Sequence, residues 1–289
     1  TGFSNVAVGY QSMDAQTTGD KNVAVGVGAL GADIYGNKSV AVGYQALLAQ
    51  THSSELDYFN TAVGFAAGLN VTTATQNTLI GALAGDAITT GGSNVAVGYA
   101  ALSAVTDLSE NVAVGNAAMA SATSASGNVA VGDNAGGGAT NTADNNVWIG
   151  NNAGYATTSG ASNVFVGYAS GDAVTTGGSN VFVGYDSGTA HTTGANNVGV
   201  GFNALALNTT ADDNTAVGHN ALDANTTGTP NTAVGKSALT TNTTGTHNVA
   251  IGNSALAGNT TGSNNIAVGP SALDANTTGT PNLAIGRNA

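Results

Sequence analysis

The chain has 289 residues, of which only 7% are charged, while 43 are glycine. Its four basic residues against 16 acidic ones, a net charge of −12, argue against nucleic acid or an anionic membrane surface as a partner, because both are bound through clusters of Lys and Arg. With no cysteine, disulfides and thiolate metal sites are excluded, and no apolar run approaches the roughly 20 residues that a membrane-spanning helix needs.

A five-residue phrase, Asn-Val-Ala-Val-Gly or a close variant, recurs 17 times along the chain. Successive phrase glycines are 17 residues apart, except for one step of 21 and one of 18. A short fixed period predicts a stack of coils, each of which buries its apolar side only against its neighbours. Because no linker interrupts the repeat, we predict a single continuous domain over residues 1–289, an all-β solenoid of about 17 coils of 17 residues. The phrase glycines are Gly9, Gly26, Gly43, Gly64, Gly81, Gly98, Gly115, Gly132, Gly150, Gly167, Gly184, Gly201, Gly218, Gly235, Gly252, Gly269 and Gly286.

Each coil is predicted to begin with a short strand that ends at the phrase glycine. The residues three and one before the glycine are β-branched or aliphatic in every copy, which is the alternation of a strand with one buried face. We therefore expect these positions to form the core of the coil. They include Val164, Val166, Val181 and Val183.

The residue between them, two before the glycine, is also apolar, being Ala in 12 copies. A strand that is apolar on both faces is expected to be covered on both, but a narrow coil has only one inside. The second face therefore predicts contact with identical chains around a long axis, and we expect a homotrimer. Three consecutive coils carry large rings at this position, which places Trp148, Phe165 and Phe182 at the expected trimer axis.

The ends of the strand are defined by Asn and Gly. Gly167 and Gly184 are predicted to turn the chain, because glycine accepts a positive φ without steric cost. Asn163 and Asn180, four residues before these glycines, predict a ladder of stacked amides at about 4.8 Å spacing. A small residue three after each glycine predicts a second short strand, followed by a polar turn.

Two features depart from this regular pattern and are candidate receptor contacts. The spacer between Gly43 and Gly64 is longer than the others and carries His52, Glu55, Asp57, Tyr58 and Phe59; irregular loops of solenoids commonly bind, although a merely tolerated insertion is an equal alternative. Aromatic residues also recur directly after the glycines, as at Tyr168 and Tyr185, where packing between chains is favoured over stacking on a sugar.

The sequence predicts no catalytic residue, metal site or cofactor. The four histidines fall in different columns of the repeat and are expected to be exposed in turns. Two rival functions are an ice-binding solenoid, which needs Thr arrays in register, and a glycan-degrading tailspike, which needs a groove lined by carboxylates.

The repeated phrase resembles the head repeat of YadA-type trimeric autotransporter adhesins, which also occurs in phage tail fibres; residues 38–43, Lys-Ser-Val-Ala-Val-Gly, are the closest copy. The resemblance covers all 17 copies, but the spacer is longer here and Asn stands where Ser is usual. It implies a left-handed parallel β-roll, three of which pack into a rod that binds a host surface glycan or protein.

On this basis we expect a structural and adhesive fibre segment on a virion or a cell surface. By family likeness, the Thr-Thr-Gly-rich spacers resemble those of a phage tail fibre more than those of a bacterial trimeric adhesin head, which is the alternative. Since the chain begins at Thr1 without Met, we also expect a segment of a longer fibre protein.

Overall fold

A computed structural model describes residues 2–289 of the chain. These residues form an all-β protein without a helix, a parallel β-solenoid in which the same short strand returns in every coil. The chain divides into two compact units, residues 1–145 and residues 146–289, which are described in turn.

The first unit contains ten strands. Eight of them are the three-residue phrase strands, and neighbouring phrase strands within this unit pair in parallel, so that Val23 lies beside Val6 and Val40 beside Val23. The other two, β3 and β5, form a separate two-stranded sheet. The strands are β1 (Val6–Val8), β2 (Val23–Val25), β3 (Gly36–Asn37), β4 (Val40–Val42), β5 (Leu56–Asp57), β6 (Thr61–Val63), β7 (Thr78–Ile80), β8 (Val95–Val97), β9 (Val112–Val114) and β10 (Val129–Val131).

The second unit contains nine phrase strands in an unbroken parallel register of 17 residues, as in the pairs Phe165–Phe182 and Val166–Val183. The sequence-predicted strand of each coil is confirmed throughout this unit. The strands are β11 (Val147–Ile149), β12 (Val164–Val166), β13 (Val181–Val183), β14 (Val198–Val200), β15 (Thr215–Val217), β16 (Thr232–Val234), β17 (Val249–Ile251), β18 (Ile266–Val268) and β19 (Leu283–Ile285).

The strand faces are the reverse of the prediction. The middle residue of each strand points into the coil, and Trp148, Phe165 and Phe182 have no exposed surface within a single chain. They therefore do not lie at a trimer axis, and that assignment is wrong. The flanking residues, predicted to be core, point outward: Val164, Val166, Val181 and Val183 are only half-buried. A three-residue strand can present inward either its middle residue or its two flanking residues, and the coil closes around the middle one.

The interior of each coil is filled by the middle strand residue together with the residue four after the phrase glycine. Where the strand carries Phe165, this position is Gly171, at which a Cβ would lie 2.7 Å from the ring. Where the strand carries Ala216, the position is Leu222, which is fully buried. In the second unit a large residue at one of the two positions is thus matched by a small residue at the other, which keeps the interior close-packed.

The phrase glycine is required by conformation and by space. Gly167 has φ +139°, and a Cβ there would lie 2.3 Å from the carbonyl oxygen of Gly184. Because the glycines stack directly on each other, the predicted turn is confirmed. The second strand predicted after it is wrong: the segment is a series of turns in which Ala169 and Asp186 have positive φ, a conformation incompatible with a strand.

The predicted Asn ladder is confirmed. Asn180 donates its backbone N–H to Oδ1 of Asn163 at 2.8 Å, and Asn197 donates in the same way to Asn180 at 2.9 Å. Side-chain Nδ2 groups of the ladder donate to backbone carbonyls, as that of Asn180 does to Gly194 at 3.0 Å. The ladder therefore satisfies buried backbone groups between coils as well as its own amides.

A second amide ladder runs through the later coils of the second unit, from Asn208 to Asn276, seven residues after the phrase glycine. Asn225 donates through Nδ2 to Oδ1 of Asn208 at 3.1 Å, and Asn242 donates likewise to Asn225 at 2.9 Å. His191 occupies the same column: its Nδ1 lies 3.1 Å from Nδ2 of Asn208 and its Nε2 lies 2.7 Å from the carbonyl oxygen of Gly194. His191 is fully buried, so its expected place in an exposed turn is wrong.

Candidate interaction surfaces

The outward residues of the strands in the second unit form one continuous apolar surface, the outer strand stripe. Its 18 members are half-buried or exposed, and none is charged. An apolar surface of this extent on a chain with net charge −12 is typical of an interaction site. The members are Val147, Ile149, Val164, Val166, Val181, Val183, Val198, Val200, Thr215, Val217, Thr232, Val234, Val249, Ile251, Ile266, Val268, Leu283 and Ile285.

The aromatic column beside the stripe is a ladder of stacked rings. Tyr168 stacks on Tyr185 with 4.9 Å between ring centroids, Tyr185 on Phe202 at 5.4 Å, and Phe202 on His219 at 5.1 Å. All four planes are within 15° of their neighbours, which is the offset-stacked arrangement that aromatic pairs prefer. Because the faces of the inner rings cover each other, only their edges and the two end faces are open to a partner.

The long spacer of the first unit forms a small structure of its own. Strands β3 and β5 pair here, and Nζ of Lys38 lies 2.6 Å from Oδ2 of Asp57. The hydrogen bond from Lys38 lowers the pKa of Asp57. The same ammonium lies 5.1 Å from the ring centroid of Phe59, in a cation–π contact. Glu55 is exposed and His52 half-buried, so both reach the surface of the spacer.

Tyr58 is the exception among the candidate contacts of the spacer. Its side chain is fully buried, so it cannot contact a receptor and that assignment is wrong. The ring packs over Gly36, where an added Cβ would lie 2.6 Å from Cε2 of Tyr58. Burial raises the pKa of its phenol. The spacer thus has a small core of its own. Sequence composition does not show whether a tyrosine such as Tyr58 lies in this core or on the surface.

Buried His191 is held by hydrogen bonds to neighbouring groups of the coil stack. Burial lowers the pKa of His191, whose two ring nitrogens are both engaged in the second amide ladder. Within residues 2–289 no group of three or more His, Asp or Glu side chains could hold a metal ion. The same residues contain no helix of the length and apolarity needed to cross a membrane.

A column of hydroxyl residues follows the second amide ladder in the second unit. The first Thr of each Thr-Thr pair donates its hydroxyl to the next coil, as Thr175 does to the carbonyl of Thr192 at 3.1 Å. The second residue of each pair is exposed. Seven exposed threonines and one serine are therefore in register: Ser159, Thr176, Thr193, Thr210, Thr227, Thr244, Thr261 and Thr278.

Comparisons of the chain with protein-family models, with curated proteins and with solved structures found no match.

Proposed function

We propose that the chain is a structural and adhesive fibre segment, most consistent with a phage tail fibre that presents a binding surface to its host. The alternative within the same class is the head of a bacterial trimeric adhesin. The proposal places the chain on a virion or a cell surface, with a host glycan or protein as partner. It rests on the outer strand stripe, since a repetitive solenoid with a long uncharged apolar face needs a partner that runs along it.

A second and a third copy of the chain are the proposed partners along the stripe. Identical chains share the same 17-residue spacing, so every coil of one copy meets an equivalent coil of the next. Three left-handed rolls around one axis would bury the stripe and leave the turn segments of the same coils outside. In this arrangement the trimer contacts are the valines that flank the strand centre, and the rings of Phe165 and Phe182 stabilise each single roll.

The mass of the particle in solution tests this proposal. The chain has a mass of 27.8 kDa, and we expect light scattering to give three times that value for the unmodified protein. Replacing Val166 and Val200 by Asp puts charges on the stripe two coils apart and should shift the mass towards a single chain. The control replaces Thr176 and Thr210, which are equally spaced on the exposed turn column, by Asp.

Circular dichroism separates association from folding in this experiment. Both double variants should keep the β spectrum, since all four side chains point outward. A monomeric unmodified chain, or a stripe variant that keeps the full mass, contradicts the trimer along this face. Binding of labelled protein to host cells then tests the adhesive part of the proposal.

Ice binding is a second candidate, favoured by the column of exposed hydroxyls. A regular array needs a second hydroxyl column two residues further on, and that column is interrupted by Gly178, Ala195 and Asp212. Thr229, Thr246, Ser263 and Thr280 complete it only in the last four of these coils. The test is thermal hysteresis, the difference between the melting and freezing points of a solution of the protein. Freezing-point depression without hysteresis would exclude ice binding.

A further inference from the structure

A groove of about 450 Å³ opens on the surface of the first unit, in the size range of small-ligand sites. Tyr10 stands at one end and Tyr44 at the other, on coils that are two steps apart. Between them, the intermediate coil carries Val27 where its neighbours have tyrosine. We call this the Tyr10–Tyr44 groove.

The groove exists because the intermediate coil lacks side chains that its neighbours have. Two residues after the phrase glycine, the three coils carry Gln11, Gly28 and Gln45. Five residues after it, they carry Asp14, Gly31 and Leu48. Both glycines lie in the groove with the short side chains of Val27 and Ala32, so its floor is backbone and small side chains, and its walls are the side chains of the coils on either side.

Tyr10 and Tyr44 do not pack against each other, so each keeps a ring face that a ligand can contact. Tyr44 stacks one face on Phe65, with 5.4 Å between centroids, which leaves the opposite face towards the groove. Tyr10 is 72% exposed. Two coil steps separate the tyrosine backbones by about 9.6 Å, enough for one further ring between two van der Waals contacts of about 3.5–4.0 Å each.

The polar groups of the groove are also free. Gln11, Asp14 and Gln45 make no side-chain hydrogen bond or ion pair to another group among residues 2–289. Two amides and one carboxylate supply both donors and acceptors around an apolar slot. Apolar walls with a few convergent polar groups are the ordinary composition of a site for a small organic ligand.

We propose that the Tyr10–Tyr44 groove binds one pyranose ring of a host glycan. A pyranose has two faces of C–H groups, which suit the two tyrosine rings, and a rim of hydroxyls, which suit Gln11, Asp14 and Gln45. None of the lining residues belongs to a strand, so the groove and the outward strand residues use different side chains. The inference deepens the proposed adhesive function and rests on it for the source of the sugar.

The Val27→Tyr variant closes the groove with little risk to the fold. It places a tyrosine between Tyr10 and Tyr44, where coils before and after already carry one, and completes a stacked ladder like that of Tyr168 and Tyr185. Gly28→Gln fills the floor independently. Gln11 and Gln45 hold the same position with φ +53° and +54°, close to the +68° of Gly28, so the backbone accepts glutamine there.

Saturation-transfer NMR with simple methyl glycosides as probes tests the inference. The panel contains the methyl glycosides of glucose, galactose, mannose, N-acetylglucosamine and N-acetylgalactosamine. We expect the ring C–H protons of at least one probe to receive saturation from the unmodified chain. Val27→Tyr and Gly28→Gln should each weaken that probe at least about tenfold, which is about 1.4 kcal/mol. The control is Asn116→Tyr, which adds a tyrosine at the same coil position beside Tyr99, away from the groove.

The outcomes separate this inference from the proposed function. Equal binding by the unmodified chain and by Val27→Tyr would place the sugar elsewhere and overturn the groove site, while glycan adhesion would stand. If no probe receives saturation, the inference is overturned, and the fibre function is judged by the mass and cell-binding experiments alone. Equal loss in the Asn116→Tyr control would also contradict the groove, because the effect would not be local.

Discussion

A double substitution inside one coil gives the sharpest test of how the solenoid is packed. Phe165→Ala removes a fully buried ring whose centroid lies 5.3 Å from the ring centroid of Phe182. The variant should lower the free energy of unfolding by about 3–5 kcal/mol. Gly171→Leu adds a side chain whose Cβ would lie 2.7 Å from the same ring, and should cost about 1–3 kcal/mol. Gly171 has φ +58°, but Leu222 holds the same coil position at +53°, so the cost is steric crowding and not backbone strain.

The two changes together should cost far less than their sum. They convert the Phe165/Gly171 pair into the Ala/Leu pair that another coil of the same unit uses as Ala216 and Leu222. The ring stacking on Phe182 is still lost, which costs about 0.5–1.5 kcal/mol. We therefore expect a favourable coupling energy of at least about 2 kcal/mol between the two positions.

Urea unfolding measures this coupling, followed by circular dichroism and by the fluorescence of Trp148. Trp148 is the only tryptophan of the chain and pairs in register with Phe165, so its emission reports on the coil that is altered. Additive effects of the two substitutions would refute the shared interior. A silent Phe165→Ala variant would refute it as well, because the ring would then face solvent or another chain.

Two further predictions concern the amide ladders of the second unit. Burial lowers the pKa of His191 below its ordinary value of 6.5, so below about pH 6.5 the unfolded chain binds more protons than the folded one. The free energy of unfolding should therefore decrease as the pH is lowered from 7 to 5, as measured by urea titrations. The variant His191→Asn, which introduces the residue that the next coil carries as Asn208, should remove this dependence. Retention of the same pH slope in the variant would show that another group titrates. Asn180→Ala leaves the backbone N–H of Asn197 without its acceptor and removes one of the two side-chain donors to the carbonyl of Gly194, the other being His191. This variant should cost about 1–3 kcal/mol, whereas Asn253→Ala, at an exposed position with ordinary φ, should change stability by less than about 0.5 kcal/mol. Equal melting temperatures for these two variants would contradict the ladder.

The period of the sequence by itself determined the coil length, the place of each strand, the turn at Gly167 and the amide ladder of Asn163 and Asn180. These features follow from local rules: alternation identifies a strand, a glycine that recurs at the strand end indicates a turn, and a fixed period stacks identical amides. None of them depends on how the coil closes. The linear sequence is therefore sufficient to locate the strands, the turns and the amide ladder.

The tertiary structure alone decided which strand face is inside. Alternation shows that Phe165 and Val166 point in opposite directions, but both faces are apolar, so hydrophobicity does not distinguish them. The coil closes around the face whose residue varies from Ala to Trp, because only an enclosed space of fixed volume requires Gly171 to compensate for Phe165. The Phe165/Gly171 and Ala216/Leu222 pairs can be read in the sequence, but only the closed coil brings the two positions of each pair together.

Burial of Tyr58 and His191 was decided in the same way. A tyrosine in an irregular spacer and a histidine in a polar turn are typical of exposed sites. The sequence around them gives no sign that either side chain is buried. Tyr58 is enclosed because the paired strands β3 and β5 fold over Gly36, and His191 because it replaces one Asn in a ladder that begins at the next coil. Both depend on contacts with other coils, which become defined only when the chain is folded.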